Sequence, residues 1–357
     1  MNKKLSNYLD IVRVIASFAV LFQHLSMYNN DVFPAFQNYG HPAVMGFFIL
    51  SGYVIAFVAD QREKTFNVYL KHRFARLYSV MVVAWLLSII LDTTGNLINN
   101  SFYAGEIATD NLLLRIFSHI FFLQESWFVS IQFFANQPLW SLAYEFWYYL
   151  LFGTIMLYKG KYKISLIVII TLIMGPVILI YSIIWFAGAF LYKLHQKQLQ
   201  VDPLLASIIF LISIPIIFSY PYWNHLLLPE ELPSIGKLSF LTYIDDLIFA
   251  SFITMNIFFF RYSVFSFTLI MPVIRFLSSI SFSLYVFHFP LMLFFKTVLI
   301  RYFNLSDETS FFIIAALIVM TVYFLSFISE RKKTPYFRFF NFLENTLKKR
   351  LKHHLVK

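Results

Sequence analysis

Long apolar runs, separated by charged and turn-forming residues, recur along the chain from about residue 8 to residue 329. A helix needs about 20 residues to cross a hydrocarbon core about 30 Å thick, and most of these runs have that length. The runs lie at residues 8–28, 40–59, 69–91, 136–158, 163–181, 182–194, 203–220, 239–260, 275–299 and 310–329. This pattern predicts an all-α polytopic membrane protein with about ten transmembrane helices.

The segment near residues 111–135 does not follow the pattern, because charged and amide side chains interrupt its apolar runs. A full crossing here would reverse every later helix and would place the basic residues 159–163 outside. We therefore expect a re-entrant or interfacial helical pair on the outer side. Irregular backbone is tolerated at membrane depth where it is buried in protein or lines a cavity.

The composition excludes an ordinary soluble protein, since 59% of the residues are hydrophobic and 13% are charged. The 28 Lys and Arg against 18 Asp and Glu give a formal charge of +10. If both termini are cytoplasmic, nearly all these basic residues lie on the inner side, so the excess marks topology and needs no nucleic-acid partner. The exceptions are Arg115, Lys237, Lys296 and Arg301.

The chain has no cysteine, which excludes disulfides, thiolate metal sites and an acyl-cysteine intermediate. We expect one membrane domain at residues 1–330 and a basic cytoplasmic tail at residues 331–357. Basic residues alternate with aromatic ones in this tail, which favours a helix lying on the anionic inner leaflet.

Ionisable side chains inside apolar helices are costly, so each is a hypothesis for a functional site. In the first helix Arg13 and His24 are eleven residues apart, which places them on one face and about 16 Å apart along the axis. The plainer interpretation is that Asp10 and Arg13 form an i,i+3 pair and that His24 bonds a neighbouring helix.

Arg73 and Arg76 lie one turn apart at the cytoplasmic start of the third helix. Two guanidinium groups in this arrangement suit phosphate recognition, because each offers planar, bidentate donors. Basic residues beside a membrane also serve merely as topology signals, and the sequence leaves both interpretations open.

Ser141, Glu145 and Tyr148 form a polar stripe at i, i+4 and i+7 in the helix that begins near Trp140. Because Glu145 lies well inside this helix, its carboxylate needs a cation, a hydrogen-bond partner or a proton. A purely structural glutamate bound to another helix remains the alternative.

Ser281, Tyr285 and His288 share one face of the ninth predicted helix, and His288 lies about 18 Å from its cytoplasmic end. Taken alone, His288 is better explained as a packed, hydrogen-bonded histidine than as a catalyst. Asp245 and Asp246 in the eighth helix point to different faces, and we interpret them as structural or ion-linked.

Together these residues resemble the motifs of acyltransferase family 3, the integral membrane acyltransferases of bacterial surface glycans. The matching motifs, in chain order, are Leu9-Asp10-Ile11-Val12-Arg13 with His24, Gly46 to Tyr53, Arg73-Phe74-Ala75-Arg76, Trp140-Ser141-Leu142-Ala143-Tyr144-Glu145, and Ser281-Phe282-Ser283-Leu284-Tyr285 with His288. One departure is that Glu330 is followed by Arg331 and Lys332, where many relatives have a proline two residues after the glutamate. Since no hydrolase-like domain follows, the resemblance is to the stand-alone branch.

The resemblance implies a multi-pass protein of the bacterial inner membrane that takes an acyl group, usually from acetyl-CoA on the cytoplasmic side. The acyl group goes to a glycan hydroxyl on the outer side, with lipopolysaccharide O-antigen as our first hypothesis by analogy. The implied reaction needs a base for the hydroxyl proton and stabilisation of a tetrahedral oxyanion.

We assign His24 as the base or as a transient acyl acceptor. Glu145 is expected to orient an imidazole or to bind the glycan, and Tyr285, Ser141 or His288 to supply hydrogen bonds to the acceptor or the oxyanion. Donor phosphates are assigned to Arg73, Arg76 and Arg13, and supporting roles to Asp10, Trp140 and Ser281. His24, Glu145 and His288 lack the short spacing of a metal site, so no metal is predicted. A secondary transporter or flippase, whose buried charges would relay protons or bind substrate, is the alternative from another class.

Overall fold

The computed structural model describes residues 2–29, 32–224, 233–303 and 305–355. Within these residues the chain forms thirteen α-helices and one short antiparallel hairpin, Ser234–Ile235 (β1) paired with Leu238–Ser239 (β2). The helices are α1 Lys3–Met27, α2 Gly40–Gln61, α3 Phe66–Ile98, α4 Asn100–Tyr103, α5 Leu112–Ile120, α6 Trp140–Met156, α7 Lys163–Gln196, α8 Pro203–Trp223, α9 Phe240–Tyr262, α10 Met271–Ser278, α11 Ser281–Tyr302, α12 Asp307–Ser326 and α13 Thr334–Leu355. The predicted all-α fold is confirmed.

Eight of the described helices are long and apolar enough to cross a membrane, namely α1, α2, α3, α7, α8, α9, α11 and α12. Helix α6 has 17 residues, and most of its side chains are buried among the other helices. Helix α7 contains two of the predicted segments, and the predicted segment 275–299 is divided between α10 and α11. The predicted polytopic membrane architecture is confirmed.

Helix α7 changes direction at Gly175, whose φ of 79° and ψ of 176° are not helical. Glycine adopts this φ without strain, and Pro176 has no N–H to continue the helical hydrogen bonds. Beyond this point the chain runs alongside α6, where the Tyr148 hydroxyl donates to the Ile178 carbonyl at 3.0 Å. The predicted boundary between segments 163–181 and 182–194 is therefore wrong. The turn lies at Gly175, and the shorter limb is the first one.

Most basic side chains gather at one end of the helix bundle. Lys4 Nζ, at the start of α1, lies 3.5 Å from the carbonyl of Arg261 at the end of α9. The Gln196 amide, at the end of α7, donates to Asp60 at the end of α2 at 2.7 Å. We call this end the basic face, defined by Lys3, Lys4, Arg62, Lys64, Lys71, Lys193 and Arg261. The other end, which carries residues 32–39, 99–136 and 233–239, is the opposite face.

Helix α2 and the second limb of α7 approach each other closely at two glycines. A Cβ atom on Gly52 would lie 1.9 Å from the Trp185 carbonyl oxygen, and one on Gly188 would lie 2.0 Å from the Ile49 carbonyl oxygen. Small residues permit such contacts between membrane helices. This contact fixes α2 beside the central cavity, which Ser51 lines.

Residues 112–136 form one helix, α5, followed by irregular backbone, where a helical pair was predicted. Helix α5 exposes Leu113 and Phe117 and buries His119, as an interfacial helix does. The irregular part is held by side chains of its neighbours: the Asp92 carboxylate accepts from the Ala135 N–H at 3.0 Å. The prediction of a re-entrant or interfacial segment is confirmed, because α3 ends and α6 begins on the opposite face.

Candidate active site

A narrow cavity of about 60 Å³ lies at the centre of the bundle, between α1, α2, α3, α6 and α11. Its polar lining comes from five helices that are distant in the sequence. The polar lining residues are Arg13, Ser51, Arg76, Ser141, Glu145, Ser281 and Tyr285. The structure therefore brings together members of all four groups that the sequence analysis singled out.

Glu145 has hydroxyl partners and no cation within ion-pair distance in the described part of the chain. The Ser51 hydroxyl donates to Glu145 Oε1 at 2.8 Å, and the Tyr149 hydroxyl donates to the same oxygen. Oε2 makes no hydrogen bond with any described residue. One carboxylate oxygen is thus fixed, and the other remains available in the cavity lining.

Ser141 and Tyr285 form a hydroxyl pair at the end of the cavity, with their oxygens 2.7 Å apart. Both lie near the Pro138 carbonyl, at 3.4 Å for Ser141 and 3.2 Å for Tyr285. Ser281, also in the lining, donates to the Ser278 carbonyl at 2.9 Å. One hydroxyl proton therefore joins the pair, and the other is left for the Pro138 carbonyl.

His24 and His288 are hydrogen-bonded to each other, with His24 Nδ1 3.0 Å from His288 Nε2. His288 Nδ1 lies 2.8 Å from the Tyr285 carbonyl, which can only accept, so Nδ1 carries the proton and Nε2 a lone pair. His24 Nδ1 must then donate to His288, which leaves the lone pair of His24 on Nε2. Neither ring lines the cavity, but the rings of His288 and Tyr285 lie 6.3 Å apart.

Arg13 and Asp10 form the predicted i,i+3 pair, at 3.2 Å. Ser278 joins it, donating to Asp10 at 2.8 Å and lying 3.3 Å from Arg13. Asp10 therefore holds the Arg13 guanidinium at the cavity wall.

Arg73 and Arg76 have different surroundings. Arg73 is buried and donates to both carboxylate oxygens of Glu63, at 2.8 and 2.9 Å. Arg76 lines the cavity and makes no hydrogen bond or ion pair with a described side chain. Its guanidinium lies 5.2 Å from the centre of the Phe282 ring. Of the two arginines, only Arg76 has no carboxylate partner.

Two residues near Arg76 were missed by the sequence analysis as site candidates. Lys333 lies just before α13, where burial, and next the charge of Arg76, lower its pKa to about 8. The Glu330 carboxylate lies 3.3 Å from the Ser283 hydroxyl at the start of α11. Lys333 stands in a run of basic residues with no local signal that singles it out.

Trp140 lines a second cavity, of about 420 Å³, which opens at the opposite face. Its ring stacks on His41, with centroids 5.9 Å apart and planes at 18°. His41 Nε2 lies 2.9 Å from Asp246, which also accepts from the Tyr181 hydroxyl at 2.8 Å. Asp245 instead accepts a hydrogen bond from Tyr220. The two aspartates thus point to different partners.

Residues 6–330 match acyltransferase family 3, whose description is an acyltransferase domain. No curated protein and no solved structure matches the chain. The matched range includes the whole polar lining of the central cavity and both paired histidines. With its eight long apolar helices, the chain belongs to acyltransferase family 3 and is a membrane acyltransferase.

Proposed function

We propose that this protein transfers an acyl group, acetyl in the first instance, from acyl-CoA to a hydroxyl of a bacterial surface polysaccharide. Lipopolysaccharide O-antigen is the acceptor to test first, on family analogy. The observation that carries the proposal is the His24–His288 pair, whose hydrogen-bond order leaves a lone pair on His24 Nε2, while His288 lies beside Tyr285 of the central cavity.

The proposed orientation places the basic face in the cytoplasm and the protein in the inner membrane, with both termini inside. The accumulation of Lys and Arg at that face supports this orientation. Helix α13 lies at the same face, because Glu344 pairs with Lys71 at 2.8 Å.

In this proposal the CoA nucleotide stays at the basic face and the thin pantetheine arm enters the cavity. Arg76 binds donor phosphate with its unpaired guanidinium, and Arg13 and Lys333 add positive charge nearby. A cavity of about 60 Å³ suits an extended arm better than a nucleotide. Glu145 Oε2 can accept a hydrogen bond from an amide N–H of that arm.

His24 Nε2 takes the proton of the sugar hydroxyl as its oxygen attacks the thioester carbonyl. His288 holds His24 in the required tautomer, because its own Nδ1–H is fixed on the Tyr285 carbonyl. Collapse of the tetrahedral intermediate breaks the carbon–sulfur bond, and the proton on His24 passes to the departing CoA sulfur. The products are the O-acyl sugar and free CoA.

The Ser141–Tyr285 pair is the proposed oxyanion donor. One of its two protons lies in the 2.7 Å bond between the hydroxyls, and the other is left with the Pro138 carbonyl, at 3.2 or 3.4 Å, which is long for a hydroxyl donor. Turning one hydroxyl toward the developing oxyanion therefore sacrifices only a weak hydrogen bond, and removing one such donor typically costs a factor of about 10²–10³ in rate.

Transfer of radiolabelled acetyl from acetyl-CoA to isolated O-antigen, by the purified protein in detergent, tests this function. We expect label in the polysaccharide and its release by mild alkali, which cleaves O-acetyl esters. Other surface glycans are tested in parallel. If no glycan is labelled while a glycan or proton moves across proteoliposomes, the transporter or flippase alternative is correct.

A further inference from the structure

The cavity at the opposite face is distinct from the central cavity, and its hydrogen-bonding groups are different. Its lining includes His119 and Gln132 from the segment 112–136, Trp140 from α6, and Lys237 from the β1–β2 hairpin. With a volume of about 420 Å³, it is large enough for a sugar ring.

The Lys237 ammonium and the Gln132 amide, two nitrogen donors of this lining, are already occupied. Lys237 Nζ bonds the Glu125 carboxylate and also the carbonyls of Glu125 at 2.9 Å and Val129 at 2.7 Å. The Gln132 amide donates to the carbonyls of Glu106 and Phe134, both at 2.9 Å. These bonds use the three protons of the ammonium group and both protons of the amide.

Hydrogen-bond acceptors, by contrast, remain unused. His119 Nδ1 lies 2.9 Å from the Arg115 carbonyl and must carry the proton, so Nε2 presents a lone pair. Gln132 Oε1 makes no hydrogen bond with a described residue. The Glu125 carboxylate accepts from Ser130 at 2.7 Å and from Lys237, and two oxygens can accept about four bonds in all. A ligand that satisfies these acceptors has to donate hydrogen bonds.

The remaining wall is aromatic. Trp140 stacks on His41, Tyr144 meets Trp140 edge to face at 5.2 Å, and Tyr181 lies in the same lining. Aromatic walls with a few fixed polar groups are typical of small-molecule sites. They suit the apolar C–H face of a pyranose, while its rim of hydroxyls supplies the donors.

We propose that this cavity binds the sugar that receives the acyl group, as a neutral, hydroxyl-rich ring whose hydroxyls donate to His119 Nε2 and the Glu125 carboxylate. This proposal rests on the proposed function. An acidic sugar is disfavoured, because its carboxylate would face Glu125, and Lys237, the only Lys or Arg in the described lining, has no proton left to donate.

The floor of the cavity adjoins α11 close to His288. Asn136, part of the lining, donates to the Val286 carbonyl at 3.2 Å. Val286 lies between Tyr285 and His288 on α11. A ring held by His119 and Glu125 therefore sits above the helix segment that carries the Tyr285 hydroxyl and the His288 imidazole.

Saturation-transfer NMR on the full-length protein in nanodiscs tests this site without relying on activity. The probes are neutral methyl pyranosides (gluco, galacto, manno and rhamno) and the methyl glycosides of glucuronic and galacturonic acid. We expect saturation of at least one neutral glycoside and not of the uronides. The proposal is overturned if the uronides are saturated as strongly as the neutral glycosides or more strongly. It is also overturned if none of the neutral glycosides is saturated.

Two substitutions locate the binding. His119→Leu removes the lone pair and should lower the saturation of the neutral glycoside and raise the KM for the acceptor glycan about 3- to 10-fold, the loss of one neutral hydrogen bond. The donor KM should stay within about twofold. His119→Gln, which can place an amide oxygen near the Nε2 position, should retain more binding than His119→Leu.

His195→Leu is the matched control, since His195 is also buried but bonds Tyr53 outside this cavity. Its effect on the acceptor KM should be small. If both His119 variants transfer the acyl group to glycan with an unchanged acceptor KM, the proposed sugar site is wrong. The proposed function is not affected by that result. If the parent protein transfers the acyl group to none of the glycans, the proposed function itself is wrong.

Discussion

In its proposed role as base, His24 depends on His288, because the hydrogen bond between the two rings fixes the tautomer of His24. We expect His24→Ala to lower kcat by about 10²- to 10⁴-fold, the usual contribution of a general base. Acetyl-CoA binding, measured by calorimetry, should be retained, since the proposed phosphate contacts lie at Arg76. Near-normal turnover in His24→Ala would remove His24 from catalysis.

The positioning role of His288 needs a separate comparison. His288→Gln can keep a hydrogen-bond acceptor opposite His24 Nδ1, whereas His288→Leu cannot. We expect His288→Leu to lose much more kcat than His288→Gln, with acceptor KM little changed in both. Equal losses in the two variants would show that His288 only fills space.

Arg76 and Arg73 were both predicted to bind donor phosphate. Because their surroundings differ, we expect different effects when each is substituted. Arg76→Lys keeps the charge but loses the planar fork, so the donor Kd should rise about 10-fold or more. Arg73 donates to both oxygens of Glu63 through one nitrogen, Nη2, so any effect of Arg73→Lys on the donor should be reproduced by Glu63→Gln. If Arg76→Lys binds acetyl-CoA as tightly as the parent, the phosphate role of Arg76 is wrong.

Residue types at the candidate site were predictable from the sequence, but their partners were not. A buried Glu145 demands hydrogen bonds wherever it lies, and motif and depth together select it. That Ser51 supplies one of these bonds depends on the packing of α2 against α6. His24 and His288 lie 264 residues apart, and no local pattern pairs them.

At the level of elements, the glycine contact between α2 and α7 can be tested with a control in the same helix. Gly52→Ala places a Cβ 1.9 Å from a backbone oxygen of Trp185, which cannot be relieved by a side-chain rotation. Overpacking of this kind costs about 1–3 kcal/mol or more. We expect a clear fall in the thermal unfolding midpoint in detergent.

Gly46→Ala is the matched control, because nothing lies within 4 Å of an added Cβ at that position. Its unfolding midpoint should equal that of the parent or exceed it, since alanine favours helix. Equal midpoints for the two alanine variants would contradict the close contact at Gly52.

Helix α13, predicted to lie on the inner leaflet, also packs on α3 through specific contacts. His72 stacks on Phe337 at 4.6 Å, and Lys71 bonds Asn341 at 2.6 Å. This docking places the start of α13, and with it Lys333, beside Arg76. The tail thus belongs structurally to the proposed donor end.

Lys333 should give donor binding a distinctive pH dependence. Burial and the charge of Arg76 lower the pKa of Lys333 to about 8, so its ammonium is present below that pH and is lost above it. The kcat/KM for acetyl-CoA should therefore fall as pH rises through about 8. Lys333→Arg, which stays charged, should abolish this fall, and an identical pH profile in that variant would contradict the role of Lys333.

Element types were more predictable than element boundaries. Apolar length alone locates the crossings, because any helix in lipid must satisfy its backbone internally. The turn inside α7 was misplaced because the apolar run continues across it, although Gly175-Pro176 is itself a turn signal. The irregular backbone after α5 depends on Asp92 and other distant partners, which the sequence does not reveal.

For the molecule as a whole, the two cavities approach the same stretch of backbone from different faces. The Pro138 carbonyl accepts a hydrogen bond from the Ser141–Tyr285 pair of the central cavity. Asn136 and Leu139 line the cavity at the opposite face. An acyl group and a sugar hydroxyl could thus meet at α11 without either substrate crossing the bundle. Entry of the two substrates from opposite faces requires that these faces lie on different sides of the membrane.

The sidedness can be measured directly, because the native chain has no cysteine and a single introduced one can be labelled without background. Lys161→Cys lies between α6 and α7 at the basic face, and Glu308→Cys lies in the exposed first turn of α12 at the opposite face. An impermeant maleimide added to intact spheroplasts should label position 308 and leave position 161 unmodified until the membrane is permeabilised. Both variants should be labelled equally in detergent, which controls for reactivity. Labelling of position 161 from outside would reverse the proposed orientation, and with it the assignment of acyl-CoA to Arg76 and of the sugar to the cavity beside His119.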